Sequence, residues 1–318
     1  MKKVRKILGL MMCLVLAFGC LTGCGGKSEE EVFMGAITSL NTAKSFDMEA
    51  TMSGKMSMQM EEESQDIDIS SKVVANCFTD PYKMKATTTT TTMGQSTSQE
   101  VYMQKEDEKY VLYMNTAGTW SKMELGDLDA AIQASGINNI ESQLSGDINK
   151  YTKKENKEEG EKTYLVYDYT VSGDEMKKMA EGMTSSLGTM LGDSTDSKDL
   201  EEMIDKMLET VGDVTMTILV DKEEGCVARI EYPMTDMMNN MLNSMMKYMA
   251  EKFGESEEKD TVGIAEALAS VKIQVSDMNM VTTYKNLDNA AEFEIPEEAK
   301  NAKPISSLLE DSSEDSEK

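Results

Sequence analysis

The sequence predicts an α+β protein built around a mostly antiparallel β-sheet. Over several long stretches apolar and polar residues alternate strictly, which is the pattern of strands with one buried face. Elsewhere apolar residues recur every three or four positions, which is the period of amphipathic helices. The predicted order is helix, many strands, helix, strands, helices, hairpin, helix and strand. Such an order is typical of an antiparallel sheet with segregated helices.

The first half of the chain is predicted to be one short helix followed by a meander of strands. The helix begins at Val32 and ends near Asn41, because its apolar residues keep a helical spacing. Alternation then begins at Phe46, and a turn signal at Asn115 to Gly118 predicts a hairpin. The predicted strands cover residues 46–52, 56–60, 67–78, 82–93, 101–103, 110–114 and 120–125.

The second half alternates between predicted helices and strands. Asp127 is a candidate N-cap for a helix that ends near Leu144, and residues 155–162 form a charged turn. An irregularity is expected near Asp277, in the last strand. The other predicted helices cover residues 176–191, 200–211, 234–253 and 264–268, and the predicted strands cover residues 148–154, 163–171, 214–220, 226–232 and 271–280.

The N-terminal segment predicts export. Four basic residues precede an uncharged apolar run at residues 7–21, which is the arrangement of a signal peptide and is too short for a membrane-spanning helix. Leu21-Thr22-Gly23-Cys24 resembles the bacterial lipobox. This resemblance implies that residues 1–23 are removed and that Cys24 is acylated, which would hold the protein on the outer face of the cell membrane.

The rest of the chain shows no break in composition. We therefore predict a polar lipidated tether at residues 24–31, a single domain at residues 32–303 and an acidic, serine-rich tail at residues 304–318. The tail has few apolar residues to bury and is predicted to be disordered.

Charge and composition exclude several function classes. The chain has 58 acidic and 32 basic residues and a formal net charge of −26, which argues against binding to nucleic acid or electrostatic adhesion to anionic lipid. It contains no histidine, so histidine-dependent nucleophile systems and histidine zinc sites are absent. We predict no catalytic residue, no metal site and no cofactor.

Two cysteines other than Cys24 lie beyond the predicted signal. Cys77 and Cys226 both fall in apolar, strand-like segments, where a free thiol behaves as a small hydrophobic group. A disulfide between them in the oxidising cell envelope is an open alternative.

The sequence is unusually rich in methionine. The chain has 30 methionines and few aromatic residues, so methionine supplies much of the apolar surface. Its flexible thioether suits core packing, and it also suits surfaces that repack around variable apolar ligands. The candidate residues for an apolar cavity lie on two predicted helices and are Met179, Met183, Met237, Met241 and Met245.

Several short segments resemble a family of clostridial-type bacterial lipoproteins of unknown function (DUF6612-like) that is related to the LolA and LppX group. They include Ser45-Phe46-Asp47-Met48, Pro81-Tyr82-Lys83-Met84-Lys85, residues 110–122 with Trp120, residues 221–225, and residues 293–299. The resemblance implies a curved, half-closed antiparallel sheet, a half-barrel, with helices packed on its concave face. It also implies an apolar cavity, since known relatives carry lipidated proteins or amphiphilic lipids.

These observations favour a membrane-anchored extracytoplasmic protein that binds a lipid or another amphiphile without catalysis. A structural, interaction or sensor module of the cell envelope with a filled core is the alternative, because the predicted helices at residues 175–211 would either cover or fill the cavity. The sequence identifies neither a protein partner nor an oligomeric state.

Overall fold

A single β-sheet organises the part of the chain that this computed structural model describes, which is residues 27–60, 63–106, 109–125, 144–177, 195–254 and 272–304. Within these residues thirteen strands form the sheet, in the order β13-β6-β5-β4-β3-β2-β1-β12-β11-β10-β9-β7, with β8 beside β9. The strands are β1 Ser45–Met60, β2 Glu63–Thr79, β3 Tyr82–Thr92, β4 Gln95–Glu106, β5 Lys109–Thr116, β6 Thr119–Glu124, β7 Tyr151–Lys153, β8 Lys157–Glu159, β9 Lys162–Val171, β10 Val214–Asp221, β11 Cys226–Pro233, β12 Lys272–Lys285 and β13 Lys303–Pro304.

The sheet is antiparallel except for the short pair of β13 and β6, which is parallel. Its two edges, at β13 and at β7, are not paired with each other in the described residues, so the sheet stays open. Helices α1 Glu29–Thr42, α2 Thr195–Leu208, α3 Thr235–Gly254 and α4 Glu297–Lys300 accompany it. The predicted α+β half-barrel, with an open and mostly antiparallel sheet, is confirmed.

Helix α1 packs on one face of the sheet, which we call the concave face. Its buried residues Phe33, Ala36, Ile37 and Leu40 join the main core. In the same core lie inward-facing side chains from β1, β2, β3, β7, β9, β10, β11 and β12, and examples are Phe46, Ala75, Ala86, Tyr151, Tyr167, Ile218, Ile230 and Tyr284. A smaller core on the opposite, convex face is formed where the C-terminal segment crosses the sheet, with Ile295 and Ala299 packed against Tyr102 and Tyr113.

Strand β1 is longer than predicted. The sequence predicted two runs with an interruption, whereas β1 continues from Ser45 to Met60 through Gly54. Glycine is needed there because a Cβ atom would lie 2.9 Å from the Cα of Met278. The register between β1 and β12 shifts at this point, and Asp277 adopts a φ of 53°. The predicted irregularity near Asp277 is therefore confirmed as a bulge that faces Gly54.

The segment before β9 differs from the prediction. Residues 148–154 were predicted to be one strand, but Ile148–Lys150 is a 3₁₀ turn and only Tyr151–Lys153 is extended. The side chain of Asp147 causes this, since it accepts a hydrogen bond of 3.0 Å from the amide of Asn149 and caps the turn. The predicted charged turn contains β8, which forms a hairpin with β9 around Gly160.

Several element ends also differ from the prediction. Helix α1 begins at Glu29, inside the predicted tether, because Ser28 and Glu31 form a capping box. Strand β12 extends to Lys285, and Lys303–Pro304 pairs with β6. The predicted signal peptide, Cys24, the helices at residues 127–144 and 264–268 and the acidic tail from residue 305 lie outside the described residues, except that Leu144 is described and buried.

Candidate functional site

A row of methionines runs along the concave face. Alternation along β1 places Met48, Met52, Met56 and Met58 on the side that α1 occupies, and Met280 of β12 lies directly opposite Met52. We call these five residues the methionine lane. Each of them is half-buried. With a rise of about 3.3 Å per residue, the lane extends about 33 Å along β1.

The concave face is uncharged over the length of the lane. On β1 every even position from Phe46 to Met58 is apolar or glycine, whereas Asp47, Glu49 and Lys55 lie on the convex face. The positions of β2 that pair with the lane are also uncharged, and they are Gln65, Ile67, Ser71 and Ala75. In a chain with 28% charged residues, this separation creates one apolar surface that water wets poorly.

Helix α1 closes one end of the concave face. The Phe33 ring stacks on Tyr167 with 3.9 Å between ring centroids and meets the edge of Tyr151 at 5.0 Å. Both contacts lie at β7 and β9, where the core is fully buried. Met48 and Met280 pack against this core and form the inner end of the lane. Side chains therefore fill the concave face beneath α1, and beyond α1 the face is half-exposed.

An ion-pair cluster holds the first turn of α1 in this position. The Glu29 carboxylate pairs with Lys153 of β7 and, at 2.8 Å, with Lys222 of the β10–β11 turn. Asn156 donates a third hydrogen bond of 3.1 Å. The hydrogen bonds from Lys153, Lys222 and Asn156 lower the pKa of Glu29 to about 2. The carboxylate is therefore ionised at neutral pH.

Two tyrosine hydroxyls are buried in the concave core without a hydrogen-bond partner among the described residues. They belong to Tyr167 and Tyr284, whose side chains are 2% and 5% exposed. Tyr284 lies directly opposite Met48, at the inner end of the methionine lane. A buried phenol usually finds a partner, so each of these hydroxyls is an unsatisfied donor within the core.

Replacing Tyr284 by phenylalanine is expected to raise the free energy of unfolding by about 1 kcal/mol, because the change removes an unsatisfied buried hydroxyl. Equilibrium unfolding in urea would measure this. Tyr151→Phe is the matched control, since the Tyr151 hydroxyl donates a hydrogen bond of 2.8 Å to the carbonyl of Ser145. That variant should be less stable than the wild type by about 1 kcal/mol. A loss of stability in Tyr284→Phe would mean that its hydroxyl is satisfied.

The predicted cavity methionines of α3 lie beside the open end of β12. Thr235 and Asn239 fix α3 there, since the Asn239 amide exchanges hydrogen bonds of 2.7 and 2.8 Å with the backbone of Val275. These side chains replace the partner strand that β12 lacks at this point. Met241 and Met245 recur at helical spacing after Met234, which contacts the main core, and Met237 is half-buried like them. Met179 and Met183 lie outside the described residues, so the cavity formed by these five methionines stays a prediction.

Two open clefts near α2 are lined mainly by polar residues. One has a volume of about 460 Å³ and lies between α2 and α3, with Lys206, Asn240 and Glu251 among its lining residues. The other, of about 420 Å³, lies beside Gly173 and Asp213. Neither cleft contains the methionine lane. Within the described ranges no group of three or more acidic or cysteine side chains is placed to hold a metal ion.

The two remaining cysteines lie in different parts of the sheet. Cys77 is buried in β2, and Cys226 begins β11 at the turn after β10. Although both residues are described, the structure forms no disulfide between them. Burial raises the pKa of the Cys226 thiol, and the nearby carboxylates Glu224 and Asp221 raise it further. A disulfide between Cys77 and Cys226 in the oxidising cell envelope stays a prediction.

The fold and the concave face define a class of protein, which is an open half-barrel with an uncharged, half-exposed surface beside its first helix. The chain belongs to the family of unknown function DUF6612, whose sequence profile matches residues 28–268. This match confirms the family expected from the sequence. The comparison with curated proteins gave no match.

The solved structures that are similar to this chain include LppX and LprF. The lipoprotein LppX of Mycobacterium tuberculosis is 7% identical, with a TM-score of 0.37, and the match covers 84% of this chain and all of LppX. LprF from Mycobacterium bovis is 8% identical, with a TM-score of 0.38, and the match covers 85% of this chain and 96% of LprF. At these TM-scores neither resemblance supports a functional conclusion. None of the described helices combines the length and apolar character that crossing a bilayer requires.

Proposed function

We propose that this protein is a lipoprotein, anchored in the membrane through Cys24, that binds an apolar or amphiphilic ligand on its concave face outside the cytoplasm. The observation that carries this proposal is the uncharged and half-exposed methionine lane. Half-exposed apolar side chains on a face without charges offer a ligand surface that water leaves readily. No covalent step is part of the proposed activity.

The energetics favour a long ligand over a small one. Complete burial of a methionine side chain stabilises by about 2 kcal/mol, so covering the remaining half of one side chain contributes about 1 kcal/mol. Association also costs several kcal/mol of lost translational and rotational freedom. A ligand must therefore cover most of the five residues of the lane to bind tightly. An acyl chain laid along β1 would satisfy this requirement.

The position of α1 is compatible with attachment at Cys24. Helix α1 begins at Glu29, so only a short segment separates the proposed acylated cysteine from the folded domain. This would hold the domain close to the membrane, where amphiphiles are concentrated. The anchor itself would come from the acyl chains, because the chain is too acidic to adhere electrostatically to anionic lipid.

Native mass spectrometry of the full-length chain, purified in detergent from the membranes of its natural host, would test this proposal. We expect a polypeptide that begins at an acylated Cys24 and carries a noncovalent lipid-sized ligand, which solvent extraction would identify. A protein with no bound ligand, and no uptake of added lipid, would contradict the ligand-binding proposal and favour an interaction or sensor module. An unmodified Cys24 would separately contradict the anchor.

A further inference from the structure

We propose that the ligand is an amphiphile whose headgroup is uncharged and rich in hydroxyl groups, and that β3 and β4 bind this headgroup beside the methionine lane. This inference rests on the proposed function, since it assigns the chemical class of the ligand at the same site. It depends on the side chains that share the concave face with the lane.

A continuous row of side chains crosses five strands of the concave face and changes from apolar to polar. The row begins with Met280 and Met52, which lie opposite each other on β12 and β1. Ser71 of β2 is opposite Met52, Thr90 of β3 is opposite Ser71, and Thr97 of β4 is opposite Thr90. Since neighbouring strands lie about 4.8 Å apart, the polar part begins directly beside the lane.

The neighbouring row of side chains also changes from apolar to polar across the strands. Ala50 of β1 is opposite Val73, which is followed by Thr88 of β3 and Gln99 of β4. Ser71, Thr88, Thr90 and Gln99 are half-buried and Thr97 is exposed. We call these five residues the hydroxyl-amide patch. The patch therefore lies at the solvent-exposed side of the lane, where the headgroup of a lipid with acyl chains on the lane would be placed.

The side chains of the hydroxyl-amide patch disfavour a charged ligand headgroup. Hydroxyl and amide groups both donate and accept hydrogen bonds, which suits the hydroxyls of a sugar or glycerol headgroup. Neither row contains a basic residue that could pair with a phosphate. The nearest charges of these strands lie on the convex face, where Lys72 pairs with Glu49 at 2.9 Å and Lys85 pairs with Glu100 at 3.4 Å. An anionic headgroup would lose hydration here without gaining a counter-ion, which is unfavourable.

The threonine run of β3 provides a test with an internal control. Thr88 and Thr90 face the lane, whereas Thr87 and Thr89 are on the convex face of the same strand and are half-buried to a similar degree. Threonine and valine have similar shapes and both favour strands, so the double variant Thr88→Val/Thr90→Val removes two hydroxyls with little change to β3. Thr87→Val/Thr89→Val is the matched control.

The experiment is a competition for the full-length chain in detergent, read by native mass spectrometry. The competing lipids carry identical oleoyl chains and are a monoglucosyl diacylglycerol, phosphatidylglycerol and diacylglycerol. We expect the wild type and the control to prefer the glucosyl lipid over phosphatidylglycerol about tenfold, which corresponds to one or two hydrogen bonds. Thr88→Val/Thr90→Val should lose most of this preference and still bind diacylglycerol.

The possible results separate this inference from the proposed function. Binding of all three lipids with no preference for the glucosyl headgroup, or a preference for phosphatidylglycerol, would overturn the headgroup inference alone. An equal loss of preference in the convex control would also overturn it. A wild type that binds none of the three lipids would contradict the proposed function itself.

Discussion

Replacing Phe33 by alanine is expected to lower the free energy of unfolding by about 3 to 5 kcal/mol, which is the usual cost of truncating a fully buried phenylalanine. Phe33 is 0% exposed, and its ring stacks on Tyr167 and contacts Tyr151. The substitution would therefore leave a cavity between α1 and the strands β7 and β9. Because domains of this kind are stable by only about 5 to 15 kcal/mol, the loss would be a large part of the total.

Equilibrium unfolding in urea, followed by circular dichroism, would measure this loss. Ser39→Ala is the control, since Ser39 lies on the exposed side of the same helix. Its effect should stay within about 0.5 kcal/mol. If Phe33→Ala lowers the free energy of unfolding by less than about 1 kcal/mol, α1 does not close the concave face as the structure shows. Other residues would then have to form the packed core at this end of the site.

The local features of the fold could be predicted from the sequence because they depend on neighbouring residues. Alternation identified β1, β2 and β3, and the turn at Asn115 was confirmed, with a hydrogen bond of 2.9 Å from the Gly118 amide to the Asn115 side chain. Strand β8 was missed because its residues are all charged and show no apolar alternation. Its extended conformation depends on pairing with β9, which is a tertiary effect.

The pairing of distant strands could not be predicted in the same way. Strand β12 lies beside β1, with Lys285 opposite Asp47, although most of the chain separates them. The sequence indicated which residues of a strand share a face, but it did not indicate which face α1 covers. The candidate site was therefore assigned to the methionines of the helices. That assignment stays a prediction, and the structure in addition brings Met48, Met52 and Met280 together on the sheet.

The position of Tyr284 also depends on strand pairing that the sequence could not predict. The last predicted strand ended at Met280, so Tyr284 had no assigned role, and its place opposite Met48 depends on the register between β12 and β1. The strand itself gave one usable signal, since the irregularity expected at Asp277 is present as a bulge within β12. Periodicity thus locates strands, whereas the contents of a binding face depend on register and strand order.

Replacing Met52 by lysine is expected to reduce retention of the bound ligand at least 100-fold, because an ammonium group would then lie at the centre of the methionine lane. A ligand that covers it would bury a charge with no carboxylate beside it on this face, at a cost of several kcal/mol. Folding should be affected much less, since Met52 is half-buried and the long lysine side chain can extend toward water.

Ser53→Lys provides the matched comparison. Ser53 is the next residue of β1, lies on the convex face and has the uncharged partners Ser70 and Asn279 opposite it. Both variants add the same charge to the same strand, so they alter the net charge alike. If ligand binds along the lane, native mass spectrometry should show bound lipid in Ser53→Lys and none in Met52→Lys. Equal retention by two folded variants would mean that the ligand lies elsewhere, and the charge-free face would then require another explanation.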